Sequence, residues 1–174
     1  YSGTRRSSNN FFVMLQQMAG LCNTTKMADK LGLKTTDPVN RPLVGFYDQI
    51  PSFTLGAAEV TPLSLANAYA TLAARGKRCD PIIIESATRK DGQKIEVPSA
   101  NCQQVIDKDV ADTVNNVLKA PFRGGTASPA YIPGYDLAGK TGTESKAPSV
   151  LLMGYTPSVV GAATITVDKA HPRF

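Results

Sequence analysis

One histidine in 174 residues leaves little room for imidazole chemistry. A Ser-His-Asp triad would have to be built on His171, close to the C-terminal end, so any general base is expected to be a lysine instead. Three cysteines, Cys22, Cys79 and Cys102, show no metal-ligand spacing and have no histidine partner. Zinc is therefore not expected, nor is another metal or an organic cofactor. No apolar run approaches the roughly 20 residues needed to cross a bilayer. Nor does a cationic stretch precede an apolar one at Tyr1, so a signal segment or membrane tether would lie outside these residues. The 19 lysines and arginines outnumber the 14 acidic residues, giving a net charge of +5 and a pI near 9.2. They are scattered, with short pairs such as Arg5-Arg6, Lys77-Arg78 and Arg89-Lys90, and no aromatics alternate with them. A solvated basic surface fits this pattern and a nucleic-acid partner does not.

What is present fits one globular domain or most of one: 42% hydrophobic and 19% charged residues, with no repeats or low-complexity tracts. Ser8 or Asn9 is expected to cap a helix with Phe12, Leu15 and Ala19 on its apolar face and Gly20 at its end. A short helix is expected over 25–31, then an irregular excursion over 34–58, rich in proline. Thr61-Pro62 opens the clearest helix, with Leu65, Tyr69 and Leu72 on one face and Gly76 beyond its end. Strands over 81–86 and 94–97 flank Asp91-Gly92, a hairpin turn signal. Asp107 is expected to cap a helix burying Val110, Val114, Val117 and Leu118. Strands over 137–143, 150–155 and 159–167 complete a mixed α/β fold with an antiparallel sheet.

Two separated motifs bear on chemistry. Ser7-Ser8-Asn9 is a Ser-x-Asn at the head of a helix, and Lys140-Thr141-Gly142-Thr143 falls on a strand. Each alone is unspecific, since Ser-x-Asn is also an ordinary capping sequence. In this order they resemble two of the three signatures of penicillin-binding proteins and serine β-lactamases. The resemblance extends to Asn10-Phe11-Phe12-Val13, to residues 55–63 running into Leu65-Ala66-Asn67-Ala68-Tyr69, to Arg123-Gly124-Gly125-Thr126-Ala127, and to Gly154-Tyr155-Thr156-Pro157. It is similar above all to the transpeptidase domain of high-molecular-weight, class A-like penicillin-binding proteins.

The chain departs from that family in three places. No serine is followed three residues later by lysine, so the family's Ser-x-x-Lys nucleophile motif would precede Tyr1. The chain also stops soon after its last strand, where the family usually continues. Where the family carries a Trp-Phe pair, this chain has Ser149-Val150-Leu151-Leu152-Met153. Residues 1–174 are thus expected to form a partial penicillin-binding transpeptidase domain, incomplete at both ends, with an antiparallel sheet flanked by helices.

The resemblance implies a D,D-transpeptidase that acts through a serine acyl-enzyme on peptidoglycan stem peptides and is acylated by β-lactams. It implies an extracytoplasmic setting, association with the cell-wall synthesis machinery, and a membrane link through a missing N-terminal anchor. A serine hydroxyl needs a base, and acyl transfer places negative charge on the carbonyl oxygen. By resemblance, Ser7 would relay a proton to the leaving amine and Asn9 would hold the substrate amide. Lys140 would provide positive potential for the substrate carboxylate and act on Ser7. Thr141 and Thr143 would bind that carboxylate, and the Thr143 N–H would form half of the oxyanion hole. At Gly142 a side chain would block an extended D-Ala-D-Ala backbone. Without the nucleophile, this chain alone is expected to be inactive.

Two other functions share parts of this sequence. A non-enzymatic β-lactam sensor or pseudo-transpeptidase would have the same fold. Separately, residues 134–141 fit the phosphate-loop pattern G-x-x-x-x-G-K-[ST], with 163–168 as a second strand, but that loop must leave a buried strand and open a helix. Ser128-Pro129 upstream and Gly142 downstream argue against it. A hairpin centred on Asp91-Gly92 brings Cys79 and Cys102 within one bulge of facing each other, which permits a disulfide in an exported protein. Three free thiols remain the alternative, because any pairing leaves one cysteine over.

Overall fold

The structure, a computed structural model, describes residues 1–144 and 149–167. His171 and Asp168 lie outside the described residues. Among the described residues, five helices run over Ser2–Arg5 (α1), Asn9–Ala19 (α2), Leu21–Lys30 (α3), Pro62–Ala73 (α4) and Lys108–Leu118 (α5). Strands Ala138–Thr143 (β5), Ser149–Tyr155 (β6) and Val160–Thr166 (β7) form an antiparallel sheet in the order β5-β6-β7. Four two-residue strands make two small ladders: Lys77–Arg78 (β1) with Gln103–Gln104 (β4), and Ala87–Thr88 (β2) with Lys94–Ile95 (β3).

The core lies where α4 and α5 cover the sheet. Thr61 caps α4 by accepting from the Ser64 N–H, and Pro62 takes the first position, where its missing N–H costs nothing. The helix buries Ser64, Ala68 and Thr71, while the half-buried Tyr69 meets Tyr155 of β6 with ring centroids 5.7 Å apart. The Tyr155 hydroxyl donates to Asn115 Oδ1 at 2.6 Å, and Asn115 Nδ2 donates to the Leu72 carbonyl at 2.8 Å. Strand, α5 and the end of α4 are thereby tied through one amide. Burial pushes the Tyr69 phenol up to about 12 and the Tyr155 phenol higher still, so both stay neutral well beyond the physiological range.

Several expectations change in detail. The helix expected over 25–31 begins at Leu21, because Gly20, at φ 83°, both ends α2 and starts α3. Thr24 and Thr25 fit inside it by returning their hydroxyls to the carbonyls of Gly20, Leu21 and Cys22. In α5 the fully buried residue is Ala111, whereas Val110 stands 52% exposed on the outer side. The excursion over 34–58 is irregular, with 3₁₀ turns at Tyr47–Gln49 and Pro51–Leu55.

The hairpin strand expected over 81–86 does not form. Pairing is confined to Ala87 opposite Ile95 and Thr88 opposite Lys94, and Ile82, Ile83 and Ile84 are exposed. A two-stranded ribbon with neither face covered gains too little burial to hold a longer ladder. The lobe is closed at its base, where Cys79 and Cys102 form a disulfide one step beyond the Arg78–Gln103 pair, and Cys22 is the free thiol. Because the bond closes a loop with a sequence separation of 23, its release acts locally. Reduction should open residues 80–101 to limited proteolysis while the rest of the domain stays protected. Cleavage in this lobe that is insensitive to reductant would show that the bond does not hold it.

Candidate active site

Ser7 occupies the junction between α1 and α2, and its backbone is left-handed, with φ 53°. A non-glycine residue takes that conformation only when its surroundings impose it. The imposing bonds run from the Ser7 N–H to the Thr4 carbonyl (3.3 Å) and from the Ser8 N–H to the Gly3 carbonyl (2.9 Å). Thr4 is buried, which anchors α1 beneath the junction. Ser8 then caps α2, and Asn9 is its first residue. The chain reverses sharply here and presents the Ser7 hydroxyl toward β5.

On β5, side chains alternate, so Lys140 and Gly142 share one face while Thr141 and Thr143 share the other. The strand lies at the sheet edge, paired on one side with β6, where Lys140 faces Met153 and Thr143 faces Val150. An edge strand leaves a row of backbone donors and acceptors unpaired on its outer side.

Although 133 positions apart in sequence, Lys140 and Ser7 meet: Nζ donates to Ser7 Oγ at 2.6 Å. A second Nζ bond reaches the Thr141 carbonyl at 2.8 Å. No carboxylate neutralises the amine among its described hydrogen-bond partners. Lys140 is half-buried, and desolvation lowers its pKa below the ordinary 10.5.

Thr141 is half-buried, and its hydroxyl donates to Thr126 Oγ1 at 2.7 Å. Thr143 is exposed at the end of the strand. Gly142 could carry a Cβ without conflict, the nearest described atom being Leu151 Cβ at 3.8 Å. Asn9 is exposed and makes no side-chain hydrogen bond among the described residues. The structure thus brings Ser7, Lys140 and Thr141 into one connected set with Thr126. Asn9, Gly142 and Thr143 stand at its margins. Thr126 belongs to a turn noticed in the sequence, but nothing there signalled that its hydroxyl faces Thr141.

Nucleotide binding by the glycine-rich segment is ruled out by the same geometry. Lys140 and Thr141 lie inside a strand whose ladder continues against β6, and no helix follows them among the described residues. A phosphate cradle needs the N-terminus of such a helix.

Ser7, at the junction of α1 and α2, and Lys140, on an edge strand that packs against α5, thus form a lysine–serine pair on a mixed α/β frame. The family model for the penicillin-binding protein transpeptidase domain matches residues 2–169, and the chain belongs to that family. It is 31% identical over 144 residues to penicillin-binding protein 1A of Aquifex aeolicus, covering 82% of this chain and 20% of that protein. It is also 31% identical over 156 residues to penicillin-binding protein PbpB of Mycobacterium tuberculosis, covering 79% and 23% respectively. Among solved structures, the penicillin-binding protein PonA1 of M. tuberculosis superposes with a TM-score of 0.81 at 24% identity, over 98% of this chain and 48% of that one. Penicillin-binding protein 1A of Haemophilus influenzae gives 0.80 at 22% identity, over 97% and 30%. These superpositions establish the fold. The chain spans about a fifth of the length of the curated relatives it matches.

Proposed function

We propose that these residues supply one wall of the active site of a D,D-transpeptidase, which cross-links peptidoglycan stem peptides through a serine acyl-enzyme and is acylated by β-lactams. The observation that carries this reading is the 2.6 Å contact between Lys140 Nζ and Ser7 Oγ. Because Nζ donates to Ser7 Oγ, the lysine does not take the serine's own proton, which is left for a substrate atom. It is placed to pass to the departing amine of D-Ala-D-Ala while Ser7 recovers a proton from Lys140. The lysine also gives the site a positive potential suited to the substrate's terminal carboxylate, with Thr143 as a hydroxyl donor to it and Thr141, whose proton goes to Thr126, holding the strand beside it. Asn9 orients the substrate amide, and the Thr143 N–H serves the oxyanion hole.

The nucleophilic serine and its lysine come, in this reading, from a Ser-x-x-Lys segment outside these residues. A buried-type surface supports that view. Helix α2 buries no residue and exposes Met14, Leu15 and Met18, and a cavity of about 590 Å³ lies between Phe12, Leu15, Met27, Leu31 and Phe53. Large exposed apolar patches mark places where another segment or a partner packs. The complete protein acts at the extracytoplasmic face of the membrane, held by an anchor elsewhere, together with the cell-wall synthesis machinery. No described helix is long and apolar enough to cross a membrane.

The test is covalent labelling of the full-length protein with fluorescent penicillin, followed by peptide mapping and a cross-linking assay on stem peptides. The adduct is expected on a serine outside this sequence, with cross-linked product formed. An adduct on Ser7, or no adduct, would refute the assignment, and labelling without cross-linking would identify a β-lactam sensor.

A further inference from the structure

Resting on that function, a further residue of the site can be assigned from how its two halves are joined. Ser7 arrives on the α1 segment and Lys140 on β5, and the turn 123–127 touches both. The Thr126 N–H donates to the carbonyl of Arg5, two residues before Ser7, at 3.2 Å. The Thr126 hydroxyl accepts from Thr141, the neighbour of Lys140, at 2.7 Å. One residue therefore holds the backbone that presents the serine and the strand that presents the lysine.

The turn itself is rigidly based. Pro121 and Ala127 are fully buried, and the Gly125 and Ala127 N–H groups both donate to the Pro121 carbonyl, at 3.1 and 3.0 Å. Gly125 lets the turn close on α1: a Cβ there would fall 2.5 Å from the Arg5 carbonyl oxygen and 2.8 Å from Pro121 Cα. The close approach thus serves the same Arg5 carbonyl that Thr126 engages.

We propose that Thr126 is a positioning residue of the transpeptidase site, fixing the separation of Ser7 and Lys140 through its paired bonds to Arg5 and Thr141. Valine keeps the shape of the side chain and the backbone bond but removes the acceptor. Misplacement of catalytic groups by about 1 Å can cost on the order of 100-fold. In the full-length protein, T126V should acylate with penicillin roughly 10- to 100-fold more slowly at saturation. Noncovalent affinity and melting temperature should change little, and T126S should restore most of the rate. Because the hydroxyl acts through Thr141, the double variant T126V/T141V should be no slower than T141V. Wild-type rates for T126V, or independent, additive losses in the double variant, would overturn the proposal. So would a T126S that is as slow as T126V. If the wild-type protein itself is not acylated, the functional reading falls and this one with it; if only T126V is indifferent, the functional reading stands.

Discussion

Replacing Lys140 by alanine in the full-length protein should slow acylation by fluorescent penicillin about 100-fold or more. Two losses combine in that variant. In the proposed function the substrate carboxylate no longer meets a cation, and Ser7 loses the donor that engages its hydroxyl oxygen. An arginine at the same position keeps the charge but is too large and too strong an acid-base mismatch to return a proton to Ser7, so K140R should recover binding more than rate. The pH dependence follows from burial. Desolvation lowers the Lys140 pKa below 10.5, so the alkaline limb of acylation should begin below the range of an ordinary lysine. Stability runs the other way. Between the lowered native pKa and the unfolded value, the unfolded chain binds more protons, so the cost of the buried ammonium is relieved as pH rises. Activity should therefore fall through a window in which this group's contribution to stability improves. An alkaline limb at or above 10.5, or wild-type labelling by K140A, would remove Lys140 from the mechanism.

A second large effect is expected at Gly139, and comparison with Gly142 makes it informative. Gly139 has φ 152°, and a Cβ there would stand 2.0 Å from the Met153 carbonyl oxygen, in the backbone of the paired strand. Neither partner can yield without breaking the β5–β6 ladder, so Gly139→Ala should cost more than about 3 kcal/mol of the roughly 5 to 15 that hold a domain together. Urea unfolding would measure it. Gly142→Ala meets nothing closer than 3.8 Å and should leave stability within about 0.5 kcal/mol. If an extended peptide lies along that face of β5, the same substitution should nonetheless slow acylation markedly. A stable Gly142→Ala protein with an undiminished acylation rate would mean that the ligand does not run over this strand as proposed. Two glycines three residues apart thus separate a requirement of the fold from a requirement of the ligand.

Much of this was legible because the signals were local. Thr61-Pro62 marks a helix start by its own chemistry, and the last three strands fall within one or two residues of where alternation and turns place them. The association of Ser7 with Lys140 was legible only through the pairing of motifs, since nothing local relates positions so far apart. Other features depended on neighbours that sequence does not display. Ile82, Ile83 and Ile84 have strong strand propensity, yet without a covering layer they stay unpaired. Val110 has the right spacing for a core position, but the close approach of α5 selects the small Ala111 instead. The left-handed backbone at Ser7 carries no glycine or asparagine to announce it, and the Thr126–Thr141 bond emerges only when a turn and a strand are brought side by side.

The backbone of Ser7 has a consequence for how this protein can change. At φ 53° a glycine would sit more comfortably than serine, and asparagine nearly as well. Neither keeps the hydroxyl that Lys140 engages. A substitution chosen for thermal robustness alone would therefore replace this serine, and with it the hydroxyl that the proposed reaction uses. Position 7 is a place where durability and the proposed chemistry make opposite demands on a single side chain.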